Sequence, residues 1–206
     1  MEVLLKPGDI FFTRGPGLFS RAIRFFTRSI GEKRTKVNHV GVIVEEGGIQ
    51  TAVVVEALLK VRKHRLWKQY GSSKGQQVAV YRAMNLNPEE IEIIIAEANR
   101  QIGKLYGFGK IIAHLLDRLL SEIYLFRRLT NSPRYPICSW LVARSYSKAG
   151  KYFGVAPGAA NPDDIWDFVN RRTDIYEPII ELGSLARFTP SPEGQHTIIR
   201  GNSSLS

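Results

Sequence analysis

Apolar and polar positions along this chain fall into two rhythms, a short-period one that dominates the first half and a helical one that dominates the second. After a Pro7-Gly8 turn, residues 9–14 read as a short strand centred on Ile10, Phe11 and Phe12. Glycine and proline interrupt it at 15–17. Helical spacing then runs from Leu18 to Ile30, with Leu18, Ala22, Phe25 and Phe26 apolar and Arg21, Arg24 and Arg28 basic, until Gly31 stops it. Residues 32–36 read as an exposed basic loop. The next block is β-rich. An apolar run from Val40 to Val44 ends in the turn Glu45-Glu46-Gly47-Gly48, and a second strand within 51–59 carries Val53, Val54 and Val55. Val61 to Leu66 alternates apolar and basic positions, and Gln77 to Arg82 forms a further short strand. Such close spacing with tight turns predicts antiparallel pairing.

The helical rhythm resumes at Asn87-Pro88-Glu89-Glu90, where Asn suits the cap, Pro the first helical position and the acids the positive end of the dipole. That helix is expected to reach about Gln101 and stop at Gly103. A Leu- and Ile-rich helical stretch follows from Lys110 to Phe126, interrupted by Asp117, Arg118 and Glu122. A loop over 131–136 delivers the chain to Cys138, which starts a helix running to about Lys148 and ended by Gly150. Asn161-Pro162-Asp163-Asp164 caps a short helix through Val169, and Tyr176 to Leu182 predicts a last strand. From Thr189 onward Pro, Ser, Gly and Asn accumulate, the composition of a disordered tail. The pattern predicts one α+β domain over 1–188, with an antiparallel sheet or partial barrel packed against helices, and a tail over 189–206.

Charge and cysteine content narrow the chemistry. The 206 residues hold 29 Lys and Arg against 19 Asp and Glu, a formal net charge of +10. That balance favours anionic partners, such as phospholipid headgroups, anionic wall polymers or nucleic acid. Nucleic acid is disfavoured because no recognition motif accompanies the charge. The basic residues within 18–30 and 60–68 are candidates for anionic surface contact, set against the ordinary reading of solvated faces. One cysteine permits no intrachain disulfide and no multi-cysteine zinc site. His39, His64, His114 and His196 show no metal-ligand spacing. The N-terminal apolar stretch is too short for a signal peptide, and no apolar run approaches the ~20 residues of a membrane span, so the cytoplasm is the expected compartment.

A lone cysteine is more often a packing residue than a nucleophile. Cys138, however, is placed at a helix start, beside unpaired N–H groups and the positive end of the macrodipole, which favour a thiolate and can receive an oxyanion. His39 opens an apolar strand, either as a satisfied edge residue or as a base that takes the thiol proton. Glu56 is an acid inside an apolar run and needs a partner if buried, for which His39 on the adjacent strand is the candidate. His64 lies among Arg62, Lys63 and Arg65, where like charge opposes protonation, and is expected on a solvated strand face. His114 reads as a packing or pocket residue and His196 as part of the tail. Tyr106 and Tyr135 divide between aromatic packing and donation to a substrate.

Gly8-Asp9-Ile10, Asn38-His39-Val40-Gly41, Val55-Glu56-Ala57, Gly103 with Tyr106-Gly107, and Tyr135 to Ser139 together resemble the circularly permuted NlpC/P60 group of papain-like hydrolases, YiiX/YebB type, from about Lys6 to Ile180. Strand-His, strand-Glu, helix-Cys is the specific order. The resemblance implies a permuted papain-like fold, with Cys138, His39 and Glu56 catalytic and Tyr106, Tyr135 and Ser139 at the substrate. It implies a cysteine peptidase or amidase acting through an acyl-enzyme on a small peptide or amide, cell-wall peptide being the first example. Two rivals share the fold: a lipid-directed acyltransferase or phospholipase of lecithin-retinol acyltransferase type, and a non-catalytic amino-acid or peptide binder. No metal or organic cofactor is implied. The chain departs from its relatives in having Trp140 where Cys-Ser-Glu is common, and Gly107 where an acid follows the Tyr motif.

Overall fold

The computed structural model describes residues 3–15, 36–58, 60–71, 75–105 and 138–188. The helices expected over 18–30 and 110–126, the tail from 189, and Tyr106, Tyr135, His114 and His196 lie outside the described residues.

The strands are β1 (Leu4–Leu5), β2 (Ile10–Arg14), β3 (His39–Glu45), β4 (Gly47–Gly48), β5 (Val53–Ala57), β6 (Val61–Arg65), β7 (Gln77–Ala83) and β8 (Tyr176–Gly183). The helices are α1 (Leu66–Tyr70), α2 (Pro88–Arg100), α3 (Cys138–Lys148) and α4 (Pro162–Arg171), with a 3-10 turn at Leu185–Phe188. Six strands form one sheet in the order β6-β5-β3-β2-β7-β8, every neighbouring pair antiparallel. From the central β2 the chain builds outward through β3, β5 and β6, then returns to lay β7 and β8 on the other side.

Both faces of this sheet are covered, which explains why its strands read as nearly unbroken apolar runs. Ile10, Phe12, Val40, Val42, Val55 and Ala79 point into a core shared with α2, α3 and α4. Phe11, Ile43, Val54, Val78 and Val80 point the other way, against Leu5, Ile49, Leu66, Tyr70 and Leu185. Pleat alternation thus splits β2, β3, β5 and β7 between two cores.

Two elements differ from the sequence expectation. Gly47-Gly48, read as turn, is a short strand antiparallel to Leu4–Leu5, paired Leu5↔Gly47 and Leu4↔Gly48. Gly47 makes this possible by lacking a Cβ, which would meet Thr51 Oγ1 at 2.5 Å. Leu66, expected to end a strand, instead starts α1, in which Leu66 and Tyr70 sit one turn apart and are both buried.

The helix starts follow their caps. Asn87 and Glu90 close a capping box on α2, and Asn161 and Asp164 close another on α4. Helix α3 is the most deeply set: Leu141, Val142 and Tyr146 are buried in the core it shares with β3 and α2. Each such side chain contributes about 1.5–3 kcal/mol relative to exposure. Polar ties fix its axis. Tyr146 donates to the Gly8 carbonyl at 2.5 Å, Ser139 to the Ala160 carbonyl at 2.7 Å, and Arg144 to the buried Glu97 of α2 at 3.1 Å.

Gly41 is the tightest point of the sheet. A Cβ there would lie 2.5 Å from Phe11 Cζ and 3.0 Å from Glu56 Cβ. Gly41→Ala is therefore expected to lower stability by about 1–3 kcal/mol through overpacking, measured by denaturant unfolding.

Candidate active site

The antiparallel register brings the candidate residues together. Val42 pairs with Val55, so Gly41 stands across from Glu56 and His39 lies one pleat further along the same face. His39 is the first residue of β3, at the end of the strand, and interacts directly with Cys138 at the start of α3. Its Nε2 hydrogen-bonds Glu56 Oε2. With that nitrogen taken, Nδ1 is the atom left for the thiol. Cys138 is buried, while the His39 side chain keeps 11% of its surface in contact with solvent.

Glu56 is fully buried and accepts three side-chain hydrogen bonds. Oε2 receives His39 and the Tyr70 hydroxyl, the latter at 2.5 Å, and Oε1 faces His64 Nε2 at 2.6 Å. Burial resists its charge, but the His39 cation and the three donors overcome this and pull its pKa from 4.5 down to about 2. Burial likewise opposes a charge on His39, yet Cys138 and Glu56 together push it from 6.5 up to about 10. Burial and the Glu56 charge hold the Tyr70 phenol protonated, well above its ordinary pKa, so it remains a donor.

Two residues differ from what the sequence leads one to expect. His64 is not on a solvated face: its side chain is only 17% exposed and meets the carboxylate of Glu56. The register explains the difference, because His64 pairs with Val54 and Arg62 with Glu56, which puts His64 diagonal to Glu56 on one face. That hydrogen bond outweighs burial and Arg62, and the His64 pKa is raised. Ser139, expected at the substrate, is fully buried with its hydroxyl committed to Ala160, so it ties α3 to the loop before α4. Tyr70 is hard to find from sequence because a five-residue helix leaves almost no periodic signal; Leu66 and Tyr70, four apart, are its whole trace. Trp140 is buried, with the Arg144 guanidinium 5.4 Å from its ring centroid.

Among the described residues, no three His, Cys, Asp or Glu side chains are grouped so as to hold a metal ion. No described helix is long and apolar enough to cross a membrane.

The chain belongs to the permuted papain-like amidases: residues 4–173 match the family described as "permuted papain-like amidase enzyme, YaeF/YiiX, C92 family". Its fold is similar to the crystal structure of the metalloprotein YiiX from Escherichia coli O157:H7, with a TM-score of 0.51 and 22% identity over 87% of this chain and 88% of that one. No curated protein matches it. The α+β, permuted papain-like architecture expected from the order of motifs is thus the one found, and the kind of activity is that of an amidase.

The pKa shifts give the site a pH window. A carboxylate lowered from 4.5 to about 2 adds stability above 4.5 that is lost as pH falls through 2. An imidazole raised from 6.5 to about 10 adds stability below 6.5 that is lost as pH rises through 10. Calorimetry is expected to show the melting-temperature gap between wild type and Glu56→Gln widest between these limits, near pH 4.5–6.5, and narrowing on both flanks.

Proposed function

We propose that this protein is a thiol-dependent amidase in which Cys138 is the nucleophile, His39 the general acid and base, and Glu56 the group that orients and charges His39. The observation that carries this reading is the side-chain sequence Cys138–His39–Glu56, assembled from a helix start and two adjacent strands, with both outer members buried.

The chemistry follows from the geometry. His39, held as imidazolium by the Glu56 carboxylate, pairs with the Cys138 thiolate. The sulfur attacks the amide carbonyl, and the electron pair displaced onto oxygen faces the N–H groups of the first turn of α3, including that of Cys138 itself. The intermediate collapses to a thioester as His39 delivers its proton to the leaving amine. Neutral His39 then takes a proton from water, whose oxygen attacks the thioester and releases the acid. Cys138 departs as thiolate beside the His39 that has kept this proton, which restores the resting ion pair.

The substrate we infer is a small peptide or amide, with cell-wall peptide the first class to assay, because the family is one of amidases. YiiX is described as a metalloprotein. In this chain the His64 and Tyr70 donors stand at hydrogen-bond distance from the two oxygens of Glu56.

Turnover of a panel of peptide p-nitroanilides and cell-wall peptides tests the reading. Cys138→Ala is expected to abolish turnover, and His39→Ala to lower kcat by about 10²–10⁴-fold. Mass spectrometry of a trapped slow substrate is expected to show an acyl adduct on Cys138. Undiminished turnover in Cys138→Ala would overturn the proposal.

A further inference from the structure

We propose that His64 is a positioning residue of this site: through its Nε2–H to Glu56 Oε1 it sets the rotation of the carboxylate that presents Oε2 to His39. The inference rests on the triad proposed above and adds a fourth side chain to it.

A carboxylate turning about its last bond exchanges its two oxygens, so a donor fixed on one determines where the other points. Glu56 Oε2 is shared by His39 and Tyr70, whereas the described side chains supply Oε1 with His64. Without that donor, Oε1 of the buried Glu56 loses the side-chain partner that the described residues give it. The carboxylate would then turn to share His39 or Tyr70 between both oxygens, which loosens its hold on the His39 ring. Since His39 must keep Nδ1 aimed at Cys138, loosening at Oε1 reaches the nucleophile.

His64 is itself held on both nitrogens. Nε2 faces the carboxylate at 2.6 Å and Nδ1 faces the Arg65 carbonyl at 3.1 Å. Both partners are acceptors, so both ring nitrogens serve as donors when His64 is an imidazolium. The charged groups around it are Glu56 across the sheet and Arg62, Lys63 and Arg65 on its own strand, with Lys63 drawn toward Glu45 at 2.5 Å. Of these, Glu56 alone presents a carboxylate to the ring.

The test uses the single cysteine of the chain as its reporter, reading iodoacetamide alkylation of Cys138 against pH in four full-length proteins: wild type, His64→Ala, His64→Gln and His39→Ala. Gln places an amide N–H where His Nε2–H stood but carries no charge. The proposal expects His64→Ala to alkylate about tenfold more slowly near pH 6, with the low-pH limb of its profile moved toward the ~8.5 of a free thiol. It expects His64→Gln to stay within about twofold of wild type at every pH. A wild-type profile in His64→Ala, with enhancement lost in His39→Ala, would overturn the role of His64 and leave the triad standing. Enhancement retained in His39→Ala would instead overturn the triad and this inference with it. If His64→Ala fails to fold, His64→Gln decides: a folded Gln variant with a shifted profile contradicts positioning by this N–H.

Discussion

A carboxylate that water does not reach must take its hydrogen bonds from the protein, and in this molecule that requirement organises the site. Glu56 is fully buried, and the three side chains that satisfy it come from three places: His39 at the start of β3, His64 on β6 and Tyr70 in the short helix that follows. Each is where the sheet register or a single helical turn puts it. Removing the charge leaves three donors without the anion they share, while keeping it favours the cationic form of His39. Stability and reactivity therefore draw on the same group.

The rest of the fold fixes Cys138 relative to that carboxylate. His39 and Glu56 rise from one face of the sheet, whereas the body of α3 packs in the core on the other. They meet because His39 is the terminal residue of its strand and Cys138 the terminal residue of its helix. Such a junction tolerates little sliding, and α3 is accordingly tied at several depths, by Ser139 to Ala160, by Arg144 to Glu97 and by Tyr146 to Gly8. The close approach at Gly41, with Phe11 on one side and Glu56 on the other, sets the spacing of the strands beneath.

What was legible in the sequence was what local physics writes there. The capped helices α2 and α4 declare themselves in Asn-Pro-acid openings, and the apolar runs of β2, β3 and β5 declare a sheet. The acid in Val55-Glu56-Ala57 announces itself by its cost, which points to a partner on the next strand. His64 was not legible, because its neighbours in sequence are cations while its neighbour in space is Glu56, and only the register of β5 on β6 reveals the second. Tyr70 was hidden for a related reason: one helical turn is too short to show a period. For Ser139, adjacency to Cys138 points to the substrate, while the turn of the helix carries its hydroxyl to Ala160.

The proposed mechanism requires Cys138 and His39 to rest as thiolate and imidazolium. With one cysteine in the chain, the ultraviolet absorbance of the thiolate, followed against pH and referenced to Cys138→Ala, reads that state directly. A full thiolate equivalent is expected to be present already near pH 6. Absorbance that develops only near ~8.5, as for a free thiol, would contradict it.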